Sequence, residues 1–345
     1  MANKGIVARV QSIKVWLRRR PKLSLLLLVL AISLPVVFFS VFNKPVDEDN
    51  IATRQSGEIV ISDGVKHSIP LDEVIDGGPA KDGIPPIDNP KFIPSGKADF
   101  ITDDEPGIAI SIDGVNRFYP YQILVWHEIV NDRINGKKVL VTYCPLCLSG
   151  IVFDPVVDGE RVEFGTSGKL WQSNLLMYDR KTESLWSQIL GEAVVGERTG
   201  DKLNIIPSDI VKFGKWRQLH PDGAVLSRDT GFSRSYGVDP YGDYYTSDGT
   251  LFGIKNKDSR LGEKEFVLGL LIGGKAKAFR VESVKKVGRL EDNFAGKQIL
   301  VEYQQDVDTV RLFEKTPDGS LVRLNPFPAF WFSWAAAHPD TELYK

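Results

Sequence analysis

A chain of 345 residues with an ordinary hydrophobic fraction of 42% can hold one large or two medium folded domains. Two cysteines exclude a disulfide scaffold, so a hydrophobic core must carry the stability. Residues 1–22 hold 7 of the 43 Lys and Arg and no acid, which leaves 36 basic against 45 acidic residues in the rest, a formal −9 that argues against nucleic acid as a partner.

Residues 23–42 form a 20-residue apolar run interrupted only by Ser24, Ser33, Pro35 and Ser40. As a helix it reaches about 30 Å, the thickness of one bilayer core. The basic flank, with Arg18, Arg19, Arg20 and Lys22, is expected to stay in the cytoplasm while the rest crosses. A cleaved signal peptide is the rival reading, but the run is long for one and no clear A-x-A site follows it. The expectation is a basic cytoplasmic tail (1–22), an uncleaved transmembrane anchor (23–42), an acidic tether (43–57) and an extracytoplasmic domain (58–345). In that compartment a cysteine pair can be oxidised.

Residues 58–61 read as a first strand. Residues 77–90, GGPAKDGIPPIDNP, carry three glycines and four prolines, a density no helix or central strand survives. The segment is either a connector or an ordered loop that covers a site, and its length favours a functional loop.

Residues 139–153, VLVTYCPLCLSGIVF, hold both cysteines. The β-branched runs on either side read as strands. Pro145 cannot donate to a sheet, so Cys144, Pro145, Leu146 and Cys147 form the turn between them. Two thiols on one tight loop admit several readings. They can be half of a zinc or copper shell completed by histidines, with His220 and His338 the foremost candidates beside His127. They can be a redox pair, or a nucleophile with a histidine partner. They can also be a structural disulfide.

An internal repeat follows from a constant offset of 160 residues. Residues 114–153 align without gaps on 274–313, matching Gly136 with Gly296, Lys137 with Lys297, Tyr143 with Tyr303 and Phe153 with Phe313. Gln304 and Val307 stand where the first copy has Cys144 and Cys147, so one copy carries chemistry and the other is structural. W-x-x-x-H-P-D also occurs twice, from Trp216 to Asp222 and from Trp334 to Asp340, each suited to ending a short helix. Between the copies, short runs at 161–165, 175–179, 185–187, 193–195 and 225–227 read as strands. The fold class expected is α+β and β-rich: a single extracytoplasmic domain with a degenerate internal repeat, preceded by one transmembrane helix.

Two further stretches are candidate binding walls. Residues 164–188 place Ser167 on a polar turn and follow it with Tyr178, Asp179 and Arg180. Residues 227–245 set Arg228, Arg234 and Tyr236 among aromatics, a common wall for an anionic or planar ligand and equally a common protein-protein surface. The functional expectation is a membrane-anchored protein with a metal- or thiol-dependent site at the CPLC loop, acting on a small-molecule or protein partner. The alternative is a non-catalytic binding or assembly module in which Cys144 and Cys147 form a structural disulfide.

The segments 69–92, 141–154, 166–188, 216–245 and 330–344 together resemble the uncharacterised bacterial and archaeal family of domains of unknown function numbered thirty-one seventy-nine. The resemblance covers roughly residues 58–344. It implies a secreted or membrane-anchored domain and brings no established activity or ligand.

Overall fold

The computed structural model describes residues 57–345. The basic tail, the apolar run 23–42 and nearly all of the tether lie outside the described residues. Among the described residues no helix is long and apolar enough to cross a membrane.

Among the described residues strands dominate, and the α-helices are four to seven residues long. The first half of the architecture starts with β1 (Pro106–Ile112) and β2 (Val115–Pro120), joined at Asp113 and Gly114, whose left-handed φ of 49° and 80° suit a tight type I′ hairpin. Helix α1 (Tyr121–Leu124) leads into β3 (Ile129–Ile134), β4 (Lys137–Cys144) and β5 (Ser149–Asp154). An excursion then forms the hairpin β6 (Phe164–Trp171) and β7 (Asn174–Asp179), which sits in a seven-stranded sheet with the chain's early strands. The chain returns through β8 (Asn204–Ile205), β9 (Ser208–Lys212), α2 (Phe213–Leu219) and β10 (Ala224–Leu226).

Residues 227–265 contain no strand or helix. The second half then runs β11 (Phe266–Ile272), β12 (Lys275–Arg280), α3 (Val281–Val287), β13 (Arg289–Phe294), β14 (Lys297–Gln304) and β15 (Thr309–Lys315). It ends with β16 (Leu321–Leu324), β17 (Phe327–Phe330), α4 (Trp331–Ala337) and β18 (Glu342–Tyr344).

The two halves pair their strands alike. Ile129 faces Thr142 across β3 and β4, and Arg289 faces Glu302 across β13 and β14, each 160 positions on. Leu140 faces Phe153 as Leu300 faces Phe313. The four-stranded order β8-β5-β4-β3 has its parallel in β16-β15-β14-β13. β10 runs parallel to β2, and β18 runs parallel to β12. The left-handed turn residues coincide too: Asn135 and Gly136 (φ 48° and 79°) answer Ala295 and Gly296 (φ 51° and 79°).

The largest apolar core joins β4, β5, β6, β7 and α4. It buries Phe153, Phe164, Leu176, Trp186, Trp331 and Trp334 together with both cysteines. A second core, with Ile108, Tyr119, Val130, Val141 and Val152, fills the other side of β4. The alternation of β4 explains this division: Leu140 and Cys144 enter the first core, Val139, Val141 and Tyr143 the second. Both faces of β4 are therefore covered, and the thiol turn at its end is anchored by strands buried on two sides.

Candidate thiol site

β4 ends at Cys144, Pro145 opens a single 3-10 turn through Cys147, and Leu148 closes it in the left-handed region at φ 50°. Ser149 then pairs back with Cys144. The turn directs both side chains inward. Cys144 and Cys147 are 1% and 0% exposed, are free thiols, and bring their sulfurs within 3.6 Å.

The β6-β7 hairpin forms the next wall. Its turn residues Gln172 and Ser173 are both left-handed, at φ 48° and 60°, where neither is glycine. The Cys147 S–H donates to the Ser173 carbonyl at 3.1 Å. Asn174 on β7 and Ser333 on α4 lie beside the same sulfur. Behind them the buried Gln188 amide ties the wall together. Its Oε1 accepts from Ser149 Oγ at 2.7 Å and Asn174 Nδ2 at 3.0 Å, and its Nε2 donates to Thr142 Oγ1 at 3.1 Å. A fully connected buried network of this kind fixes side-chain positions.

The two thiols differ in proton affinity. Burial pushes Cys144 well up, and the neighbouring Cys147 adds to the rise. Burial acts the same way on Cys147, but hydrogen bonding from Cys144, with Ser333 and Asn174 adding to it, outweighs it and holds that thiol below its ordinary value. The surroundings of Cys147 thus favour loss of its proton over loss of the proton on Cys144.

The irregular segment covers the turn. The Tyr244 hydroxyl donates to the Leu146 carbonyl at 2.8 Å, and Tyr241, Tyr244 and Tyr245 pack on one another with ring centroids 5.7 to 6.4 Å apart. Lys264 fastens the segment from outside, with Nζ 3.7 Å from the Tyr244 ring centroid and 2.7 Å from the Ser247 carbonyl. Beneath the cover, Ser173 Oγ and Tyr121 OH have no hydrogen-bond partner among the described residues. Unpartnered buried hydroxyls beside a reactive group leave donors and acceptors for something else to use.

Glu128 completes the surroundings. Its carbonyl accepts the Tyr143 N–H at 2.7 Å, so it lies alongside the end of β4. It is 8% exposed and left-handed at φ 59°. Burial pushes its carboxyl well above the usual range, and the nearby Cys144 adds to the rise.

The other residues singled out from sequence lie in different places. His220 lines a separate surface cavity with Trp216, Asp306, Val307 and Arg311. His338 ends α4 with its ring 4.1 Å from that of Trp334, and its Nε2 has no hydrogen-bond partner. Helix α4 does reach the thiols, through Ser333, the residue just before the second W-x-x-x-H-P-D element. Among the described residues no group of three or more His, Cys, Asp or Glu side chains converges as a metal shell requires. Two thiols fill half of a tetrahedral zinc shell, and the expected His220 and His338 do not supply the remainder. His127 is occupied by Pro85 O at 2.7 Å and Tyr236 OH at 2.6 Å.

The first expected wall is used to clamp the Gly/Pro-rich loop. Thr166 Oγ1 donates to Ile84 O at 2.7 Å, Tyr178 OH to Asp82 at 2.6 Å, and Arg180 pairs with Asp88 at 3.0 Å. Ser167 donates to the Leu176 carbonyl within its own hairpin. Asp179 closes a turn, accepting from Thr182 N at 2.6 Å and Trp186 Nε1 at 3.0 Å. In the second wall Arg228 holds Gln122 at 2.9 Å and lies over Phe100, while Arg234 donates to the Ser233 carbonyl. Tyr236 binds His127 and Thr230.

Sequence reasoning missed Glu128 and Ser333, and it held Asn174 and the covering tyrosines only as unnamed members of the stretches 164–188 and 227–245. One signal for Glu128 was present: under the offset of 160 it faces Gly288, so an acid stands where the other half keeps glycine.

Nothing among curated proteins or solved structures matches this chain. The family model described as "Protein of unknown function (DUF3179)" matches residues 81–341, and the chain belongs to that family.

Proposed function

We propose that this protein is a thiol-disulfide redox protein in which Cys147 exchanges with a disulfide and Cys144 resolves the product. The observation that carries the reading is the pair itself: two free sulfurs 3.6 Å apart on one turn, with unequal proton affinity. A disulfide needs about 2.05 Å between sulfurs, so closure requires a side-chain movement of roughly 1.5 Å and no change of fold. The depressed thiol supplies the thiolate that attacks.

The reading also includes the cellular setting and the origin of the fold. The basic flank and apolar run at residues 1–42 support a membrane anchor with the main domain outside the cytoplasm. The matching registers and coincident turn residues support a degenerate internal repeat, in which the first copy gained the thiols and the second remained a scaffold.

Equilibration of the full-length chain in buffers of graded redox potential, with free thiols counted by mass after alkylation, tests the redox role. A midpoint above about −300 mV supports a working couple. A pair that stays oxidised well below that potential is a structural disulfide, and the redox reading is then wrong.

A further inference from the structure

Val307 stands 160 positions after Cys147, on the turn between β14 and β15. Each of these two turns packs on the helix of the other half. Cys144 and Cys147 share a core with Trp331 and Trp334 of α4, and Val307 shares one with Phe213 and Trp216 of α2. At the thiols the irregular segment covers the junction. At Val307 the junction is a surface cavity of about 460 Å³. We infer that this cavity binds a free amino acid with an apolar side chain, its carboxylate on Arg311 and Arg323 and its ammonium on Asp306. The site is separate from the thiols and does not depend on the redox reading.

The charges in the wall call for a ligand that carries both signs. Asp209 lies between two guanidiniums: Arg311 Nη2 donates to one carboxylate oxygen at 2.7 Å and Arg323 Nη2 to the other at 2.5 Å. One carboxylate against two guanidiniums leaves one positive charge over. Arg323 Nε is buried and has no hydrogen-bond partner among the described residues, so a donor is still unspent there. Asp306 supplies the opposite sign. Its carboxylate accepts the Val307 N–H at 3.1 Å, and among the described residues no cation pairs with it. His220, held below its ordinary value by burial and by Arg311, is uncharged at neutral pH. The wall therefore sums to zero, two arginines against two aspartates, while keeping one unanswered charge of each sign. A simple anion would leave Asp306 unmet, and a simple cation would leave the arginines so. A zwitterion meets both.

The orientation follows from donor geometry. A guanidinium presents paired N–H groups in the plane of a carboxylate, so the acid end belongs with Arg311 and Arg323. The remaining wall selects the side chain. Ile110, Trp216, Leu219 and Val307 line it with apolar surface, and Leu219 keeps about half of its own surface exposed. The volume falls within the roughly 300–1,000 Å³ of small-molecule pockets.

Calorimetric titration of the full-length chain with L-leucine and L-phenylalanine tests the site. Each is compared with the analogue lacking its ammonium, 4-methylpentanoate or 3-phenylpropanoate, and the one lacking its carboxylate, 3-methylbutylamine or 2-phenylethylamine. At least one amino acid is expected to bind one per chain, with both of its analogues at least about tenfold weaker, the loss of one charged hydrogen bond. Asp306→Asn changes an exposed side chain outside the Asp209 cluster. It should weaken the amino acid about tenfold and leave the ammonium-free analogue no weaker. Arg323→Lys keeps a charge beside Asp209 and removes Nε, and should weaken the amino acid and the ammonium-free analogue alike. Should that variant unfold, Asp306→Asn alone decides. Dissociation constants above ~10 mM for both amino acids overturn the inference. Equal binding of an amino acid and its ammonium-free analogue overturns it too, because the cavity is then a plain carboxylate site. Binding that Asp306→Asn leaves unchanged places the ligand elsewhere and overturns it as well. None of these outcomes bears on the redox couple, which the potential measurement tests by itself.

Discussion

Glu128 and Gly288 hold one backbone position in two sequences. Both are left-handed and both carbonyls take an N–H from a tyrosine, Tyr143 or Tyr303, at 2.7 Å. The comparison separates what the strand pairing requires from what has been added to it. Leu148 and Asp308 make a second such pair, at φ 50° and 54°. Aspartate tolerates that region, while leucine does so only under strain. Strained positions in the first half thus flank the thiols: Glu128 and Leu148 there, with Gln172 and Ser173 on the facing hairpin.

Replacing Glu128 by glycine removes a left-handed Cβ and a buried carboxyl with no cationic partner. The strain is about 1 kcal/mol, partly offset by about 0.5–1 kcal/mol from the greater freedom of glycine in the unfolded chain. Glu128→Gly is therefore expected to be at least as stable as wild type in urea unfolding. A loss above ~1 kcal/mol would show that the carboxyl supports the fold.

How far could this site be read from sequence? The thiol turn was fully legible, because proline between two β-branched runs leaves one geometry. The strand registers that coincide at an offset of 160 were legible as well, since turn glycines and alternating apolar positions recur in step. The binding walls were not. Tyr178 and Arg180 look like ligand contacts until Asp82 and Asp88, some ninety residues earlier, are seen to take them. A polar side chain that closes a long-range turn and one that waits for a ligand carry the same local sequence. Ser333 was hidden for a related reason: the helix pattern drew attention to His338, while the residue five positions earlier faces the sulfur.

The Gly/Pro-rich loop depends on Gly168. Its φ is 73°, and a Cβ there would stand 2.0 Å from the Pro79 carbonyl oxygen, which is backbone and cannot rotate away. The Gly168 carbonyl also accepts the Gly77 N–H at 2.8 Å. Gly168→Ala is expected to lose at least ~3 kcal/mol in urea unfolding, a combination of backbone strain and displaced loop. A loss below ~1 kcal/mol would mean that residues 77–90 do not need this seat.

His338 gives the fold a dependence on pH. Burial pushes its pKa down to about 4, against about 6.5 in an unfolded chain. Between these values the unfolded state binds the proton and the folded state does not. The stabilisation is whole above pH 6.5 and is lost as pH falls towards 4. Glu105, Glu128 and Glu192, all raised by burial, act with the opposite sign in the acid range. The comparison must therefore be between wild type and His338→Gln. The wild type should lose more stability than the variant between pH 7 and pH 4.5. Parallel curves would show that the ring charges in place without penalty.

Access to the thiols should be set by the cover. Both sulfurs are buried, so a reagent reaches them only when the segment carrying Tyr241, Tyr244 and Tyr245 moves. The Tyr244 hydroxyl makes the direct tie, 2.8 Å to Leu146 O, within the thiol turn itself. Tyr244→Phe removes that bond and keeps the ring that Lys264 overlies. A neutral hydrogen bond contributes about 1 kcal/mol net, so the open population should rise roughly fivefold. Opening that is fast compared with reaction passes the same factor to the rate of alkylation by iodoacetamide. That rate should stay proportional to reagent concentration, with Cys147 modified before Cys144 because its thiol ionises more readily. Peptide mapping after brief exposure measures both rate and order. A Tyr244→Phe rate equal to wild type would mean that the reagent enters by another path, and Cys144 reacting first would reverse the assignment of nucleophile and resolving thiol.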